Sequence, residues 1–222
     1  SKNHGKDFCL CKKICVNLVW RFFMKIAVDI DDTLNAVDRV RYASEYIRRN
    51  NLPFKLVDPH ANKLVDVYDW TLDDVLLFVR EGGGITAFTD APARKNAAAV
   101  LMGWREAGYE VTVLTSRLAS FFGNPEKLSR DWLEKRHIPY DHLVAACEDK
   151  AGYCVEHGIQ ILVDDSLEHC LAAQEKGVYA VLAVGRHNIA RAGEVRYGGA
   201  TWKQIDAVVR HIMFLASRLA HS

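Results

Sequence analysis

No apolar run in the sequence approaches the roughly 18–20 residues that a membrane-spanning helix needs. The most apolar stretch near the C-terminus, Ala207 to Ala220, is broken by Arg210, His211 and Arg218. There is no basic stripe either. The formal net charge is +1, with both signs interspersed, so the electrostatic footprint of a nucleic-acid binder is missing. Cysteine is sparse for a disulfide scaffold, at 6 in 222 residues. The 9 histidines form no HExxH motif and no Cys/His array. Neither GxxxxGK[ST] nor GxGxxG occurs, which disfavours a P-loop kinase or a dinucleotide enzyme. No internal repeat is present. These absences lead to the expectation of a cytoplasmic, non-membrane protein whose partner is a small molecule rather than a nucleic-acid polymer. The sequence carries no signal for oligomeric state.

The remaining composition is that of an ordinary globular chain, 50% apolar and 26% charged. Its length suits one domain with an insertion, or two small domains. The first 23 residues stand apart. Cys9, Cys11 and Cys15 cluster there, but the nearest histidine is His4, and the ligand count argues against zinc. Ile14 to Trp20 is too short and too interrupted for a clear signal peptide. Residues 1–23 are therefore expected to be an extension, and the folded domain to begin near Met24.

From Met24 onward, short apolar runs alternate with longer amphipathic segments. Ile26–Ile30, Val111–Leu114, Leu143–Ala145, Ile159–Val163 and Val178–Val184 read as strands of a parallel sheet buried on both faces. Helices are expected from Asp90, with Pro92 in the first turn, to Ala107; from Asn124-Pro125 to before Pro139; from Ser166 to Gly177; and after Thr201. Cys147, Cys154 and Cys170 fall in apolar-periodic segments and read as small buried thiols. This alternation predicts a doubly wound, Rossmann-like α/β fold. One interval is too long. About 80 residues separate the first strand from the second, where a simple crossover needs about 30. Val37, Val40, Ala43 and Ile47 have helical spacing, Thr71 to Asp74 resembles a capping box ahead of Val75–Val79, and Gly82 to Gly84 reads as a flexible break. The core is thus expected to comprise 24–35 and 92–222, with a small helical cap inserted over 36–91.

In an open parallel sheet the ligand site lies beyond the carboxyl ends of the strands. The first strand ends in Asp29-Ile30-Asp31-Asp32-Thr33 and the second in Thr115-Ser116-Arg117. Lys150 follows the third, and Asp164-Asp165-Ser166 ends the fourth. Each signal alone has an ordinary structural reading: a chance DxD, a turn, a solvated lysine, a helix cap. All four at one rim outweigh it. Clustered carboxylates repel by about 4 kcal/mol at 4 Å and intermediate dielectric. A divalent cation relieves this, and an all-oxygen donor set suits magnesium.

These motifs resemble those of the haloacid dehalogenase-like superfamily, most of whose members are magnesium-dependent phosphohydrolases. Val28-Asp29-Ile30-Asp31-Asp32-Thr33-Leu34 is similar to its DxDxT motif, and Val113-Leu114-Thr115 to the second motif. Lys150 fits the third motif, and Leu162-Val163-Asp164-Asp165 the acidic fourth. Asp-Ile-Asp-Asp-Thr, Asp-Asp-Ser and Ile138-Pro139-Tyr140-Asp141 look most like the 5′-nucleotidase and deoxyribonucleotidase-like branch. Many members carry Gly where this chain has Asp32. The resemblance implies a phosphomonoester hydrolase, with a nucleoside monophosphate as one candidate substrate. Asp29 would be the nucleophile and Asp31 the acid–base. Magnesium would be held by Asp29, the Asp31 carbonyl and Asp165, with Asp164 behind. Thr115 and backbone amides after Asp31 would bind phosphoryl oxygens, and Lys150 would neutralise charge. Thr33, Ser116 and Arg117 are further phosphate or substrate candidates. Arg39, Arg41, Tyr42, Tyr68, Trp70 and Phe88 would face the site from the cap, or else form the cap's own core.

A phosphomutase would share every one of these catalytic residues and differ in how its cap behaves. A dehalogenase would lack Asp31. A receiver-type signalling module would place its acid pair first and its phosphorylated Asp later, the reverse of the order here.

Overall fold

The computed structural model describes residues 24–219 except 62 and 82. The expected 1–23 extension, the Cys9, Cys11 and Cys15 cluster and Gly82 lie outside the described residues. Six strands form one sheet: β1 (Lys25–Val28), β2 (Glu110–Leu114), β3 (His142–Val144), β4 (Ile161–Asp164), β5 (Tyr179–Ala183) and β6 (Tyr197–Gly199). Their order is β3-β2-β1-β4-β5-β6, and every pairing is parallel. The fold is α/β and Rossmann-like. Since β1 lies between β2 and β4, the order reverses at β1, and the crevice at that reversal is where such sheets bind ligands.

Alternate residues of each strand feed two cores. Ile26, Val28, Val111, Val113, Ile161 and Val163 meet Leu101, Trp104, Trp202 and Ile205 on one face. Ala27, Leu114, Leu162 and Leu182 meet Ala151, Cys154, Cys170 and Ala173 on the other. Burial of both faces explains why the strands read as continuous apolar runs. Cys154 and Cys170 are fully enclosed, and burial pushes the Cys154 thiol up to about 12, leaving it unreactive. Among the described residues, no helix is long and apolar enough to cross a membrane.

Between β1 and β2 run α1 (Arg39–Arg49), α2 (Leu64–Val67), α3 (Leu72–Arg80), α4 (Gly83–Thr89) and α5 (Ala97–Glu106). The first four gather around a separate core of Ala43, Tyr46, Val67, Tyr68, Trp70, Phe78 and Val79. Thr71 and Asp74 form the capping box at the start of α3. Gly83 and Gly84 are instead helical, forming the first residues of α4, and side chains at either position would collide with Phe78 and Val79. A Cβ at Gly83 would stand 2.7 Å from Phe78 Cε2, and one at Gly84 2.9 Å from Val79 Cα. The helix expected from Asp90 starts only at Ala97, after Asn96 in the left-handed region. Backbone bonds hold the preceding residues extended, with Ala36 N–H donating to the Pro92 carbonyl and Arg94 N–H to that of Leu34.

After β2 come α6 (Ala119–Phe122) and α7 (Pro125–Lys135). Asn124 caps α7 through Lys127 N–H, as its Asn-Pro start suggests. The remaining helices are α8 (Lys150–Glu156), α9 (Leu167–Glu175, capped by Ser166) and α10 (Trp202–Leu219).

Candidate active site

The chain leaves β1 at Val28 and turns at once. Leu34 and Asn35 N–H both donate to the Ile30 carbonyl, which folds residues 30–35 into a tight loop. Asp32 sits there with φ 60°, in the left-handed region. That conformation explains the glycine common at this position in the resembling family, and Asp is among the few other residues that adopt it readily. The Asp32 carboxylate turns towards the inserted segment, pairing with Arg39 and accepting from Val37 N–H at 3.2 Å. Its amide donates to Asn35 Oδ1 at 2.8 Å, and Thr33 N–H donates to the Ile30 carbonyl. Contrary to the expectation for amides after Asp31, both are spent within the loop.

Asp29 lies at the C-terminal edge of β1, with its amide bonded to the Val163 carbonyl of β4. Lys150 Nζ approaches Asp29 Oδ1 at 2.6 Å and Asp164 Oδ2 at 2.7 Å, with all three side chains buried. Oxygens of Asp29, Asp164 and Asp165 lie within 4.8 Å of one another. Burial pushes the Asp29 carboxyl well above its ordinary range; Lys150 opposes this, while Asp164, Asp165 and Asp31 add to it. Burial would also raise Asp164, but Lys150 and His169 overcome it and hold that carboxyl down. The same two carboxylates keep the Lys150 ammonium charged despite its burial. Among the described residues, Lys150 is the one lysine or arginine that bridges members of this carboxylate group. Oxygen donors in this arrangement fit a hard divalent cation.

Two neighbours of this cluster carried no sequence signal. His187 Nε2 is 2.9 Å from Asp165 Oδ2, and Asn188 Nδ2 donates to the Asp165 carbonyl at 2.7 Å. Both come from the turn after β5, and isolated His and Asn residues in a loop match no motif. His169, in the first turn of α9, reaches Asp164 Oδ2 at 3.2 Å.

Asp31 points elsewhere. Arg117 Nε and Nη2 bond its two oxygens at 2.8 and 2.6 Å, and Asn35 Nδ2 donates to Oδ1 at 2.9 Å. Burial alone would raise its carboxyl, but Arg117, with Asn35 and Arg39, holds it below the ordinary carboxylate range. Its carboxylate therefore stands outside the Asp29, Asp164 and Asp165 group.

A cavity of about 530 Å³ opens above these residues. Asp29, Asp31, Thr115, Ser116, Arg117, Lys150, Asp164 and Asp165 line it from the core. Arg39, Lys63 and Phe88 line it from the inserted segment. Arg117 does so with its guanidinium already committed to Asp31. Thr33 does not reach the cavity: it is fully buried, and its carbonyl accepts from Trp202 Nε1. Tyr68 and Trp70 are also elsewhere, stacked on each other in the core of the inserted segment, with ring centroids 5.0 Å apart. Tyr68 Oη is occupied by Ser44 Oγ and the Val40 carbonyl. Of the aromatic candidates, Phe88 alone lines the cavity, joined there by Phe122 from the core.

No family model matches the sequence, and no curated protein does. Solved structures do match. A predicted phosphatase from Clostridium acetobutylicum superposes with a TM-score of 0.62 at 13% identity, covering 86% of this chain and 99% of the other. A haloacid dehalogenase-like family hydrolase from Streptococcus pneumoniae gives 0.54 at 14% identity, covering 85% and 98%. A phosphonoacetaldehyde hydrolase-like protein from Oleispira antarctica gives 0.61 at 10% identity, covering 88% and 94%. With its acidic cluster at the sheet's reversal point, the chain has the fold of haloacid dehalogenase-like hydrolases.

Proposed function

We propose that the chain is a phosphomonoester hydrolase of the haloacid dehalogenase-like superfamily, working through an aspartyl-phosphate on Asp29. The observation that carries this reading is Lys150 bridging Asp29 and Asp164 beneath an open cavity. An isolated buried salt bridge gains little stability. Placed at the floor of a cavity, it provides a nucleophilic carboxylate beside a fixed cation, the electrostatic setting that phosphoryl transfer requires.

Magnesium would be held by Asp29, Asp165 and the Asp31 carbonyl, with Asp164 supporting them. When bound, it supplies positive charge that offsets the carboxylates and polarises the phosphoryl oxygens. Within the chain, Asp29 attacks phosphorus in line with the departing oxygen, while Lys150 and Thr115 face the phosphoryl group. Asp31 gives a proton to the leaving oxygen, then takes one from the water that attacks the aspartyl-phosphate. Arg117 favours the ionised state needed for the second step. A phosphoryl dianion arriving beside Asp31 favours the protonated state needed for the first.

Helices α1–α4 act as a cap: they follow the catalytic loop directly, and Arg39 and Phe88 reach the cavity from them. The finer substrate reading is a nucleoside monophosphate. It is supported by the Asp-Ile-Asp-Asp-Thr resemblance and by the presence of the aromatic residues Phe88 and Phe122 in the cavity lining.

The test is a phosphate-release screen over nucleoside monophosphates, sugar phosphates and phospho-amino acids. Activity should vanish in excess chelator and return with magnesium. Asp29→Asn should abolish both turnover and the binding of beryllium fluoride, whereas Asp31→Asn should slow turnover by about 10²–10⁴. Release that persists unchanged in chelator, or survives Asp29→Asn, would sink the mechanism.

A further inference from the structure

Arg117 enters the site directly after Thr115-Ser116, and its side chain is 1% exposed. Its three guanidinium nitrogens are all engaged. Nε and Nη2 form a fork on the two oxygens of Asp31, and Nη1 reaches Ser129 Oγ on α7 at 3.3 Å. The ring centroids of Phe122 and Phe88 lie 5.6 and 5.7 Å from the guanidinium carbon. The group is thus held in its plane by hydrogen bonds and flanked by two rings, one from the core and one from the inserted segment.

A carboxylate gripped at both oxygens cannot rotate about its Cβ–Cγ bond. Asn35 Nδ2 on Oδ1 adds a third restraint from within the catalytic loop. Proton transfer depends steeply on where the acid's oxygens stand, and misplacement by about 1 Å can cost 10²-fold. A planar arginine fork fixes that orientation; a lysine would supply the charge without the plane. To bind a phosphoryl group instead, Arg117 would have to give up both bonds to a largely enclosed carboxylate and leave it with Asn35 as its one remaining hydrogen-bond donor, which is unfavourable.

We infer that Arg117 is a positioning residue for Asp31, setting the plane in which its carboxyl meets the leaving-group oxygen, and that it does not bind the substrate's phosphoryl group. This role rests on the phosphatase reading, in which the proton on Asp31 passes to the oxygen released as the phosphorus–oxygen bond breaks.

The experiment compares kcat/KM for an alkyl phosphomonoester, the best substrate of the screen, with that for 2,4-dinitrophenyl phosphate. The latter's leaving group departs without a proton. kcat/KM reports events up to phosphoryl transfer, before hydrolysis of the aspartyl-phosphate complicates it. Arg117→Lys should lower the alkyl value by about 10–10²-fold. The dinitrophenyl value should stay within about threefold, less than one good hydrogen bond is worth. Asp31→Asn should be nearly as slow alone as combined with Arg117→Lys, because both changes remove one function. Ser129→Ala withdraws only the hydroxyl behind Nη1. It should show the same discrimination at smaller size, and it serves if the Arg117 variants melt out. Equal losses on both esters, or full additivity with Asp31→Asn, would make Arg117 a substrate-binding group and overturn the role. A wild-type chain inactive on both esters with magnesium would overturn the phosphatase reading, and this role with it.

Discussion

The indole of Trp202 donates from Nε1 to the carbonyl of Thr33 at 3.0 Å, tying the first turn of the last helix to the catalytic loop. The bond is fully buried, and the two residues are 169 positions apart. The loop that presents Asp29 and Asp31 is therefore braced from beneath by a helix far from it in sequence. Trp202→Phe keeps most of the ring's packing but leaves the Thr33 carbonyl unpaired. Unfolding in urea should show a loss of about 1–3 kcal/mol. An unchanged midpoint would mean that the loop is held by its own turn alone.

Lys150 is the only cation touching both Asp29 and Asp164 among the described residues. Replacing it with methionine takes the ammonium from two buried carboxylates and leaves Asp164 with His169 and the Ser166 amide. Lys150→Met should lose about 3–5 kcal/mol of stability. Turnover should fall by about 10²–10³ with correctly folded protein, since a fixed charge at the reacting phosphoryl group is removed. Circular dichroism and phosphate release, measured on the same samples, separate the two effects.

Asp32 combines a left-handed backbone with an ion pair to Arg39. Asp32→Gly loses the pair but relaxes the backbone, whereas Asp32→Ala loses the pair and keeps the strain. The alanine variant should be the less stable of the two by about 1 kcal/mol. Thermal melting gives the ranking directly, and the reverse order would mean that the loop does not hold φ in the left-handed region.

The aromatic residues of the inserted segment divide into two classes. Trp70→Ala opens its packed core and should cost about 3–5 kcal/mol, with losses spread evenly over all substrates. Phe88→Leu should alter the ranking of substrates while leaving p-nitrophenyl phosphate within about tenfold, or 1.4 kcal/mol of barrier. The readout is kcat/KM for each variant on the best screened substrate and on the generic ester.

Most of the fold was legible in the sequence because β1, β2, β4 and β5 are buried on both faces and so read as unbroken apolar runs. Strand β6 was not: Tyr197-Gly198-Gly199 is short, and two of its three residues are glycine. Glycine is needed there, since a Cβ at Gly199 would stand 2.9 Å from Ile205 N. The start of α5 was misplaced because Asp90 and Pro92 imitate a helix start. Backbone pairing with residues 34–36, far away in sequence, holds that stretch extended. At the site, residue types at strand ends pointed to the Asp29, Lys150, Asp164 and Asp165 group. Side-chain direction was the hidden variable. Tyr68 and Trp70 were plausible substrate contacts until packing turned them inward, and nothing local announces that Arg117 faces Asp31 or that His187 meets Asp165.

The strand order also sets a schedule for synthesis. Lys25 pairs with Glu110 and Ile26 with Ile161, so β1 finds its second neighbour only after β4 has been made. At about 5–20 residues per second, a nascent chain holds β1 without that partner for on the order of ten seconds. Throughout that time one edge of the central strand stays open, and Asp29 has neither Lys150 nor Asp164 beside it. Pairing across such sequence distances is intrinsically slow and exposed to aggregation. The yield of competent protein should thus follow the pace of translation and the supply of chaperones as closely as it follows the stability of the finished sheet.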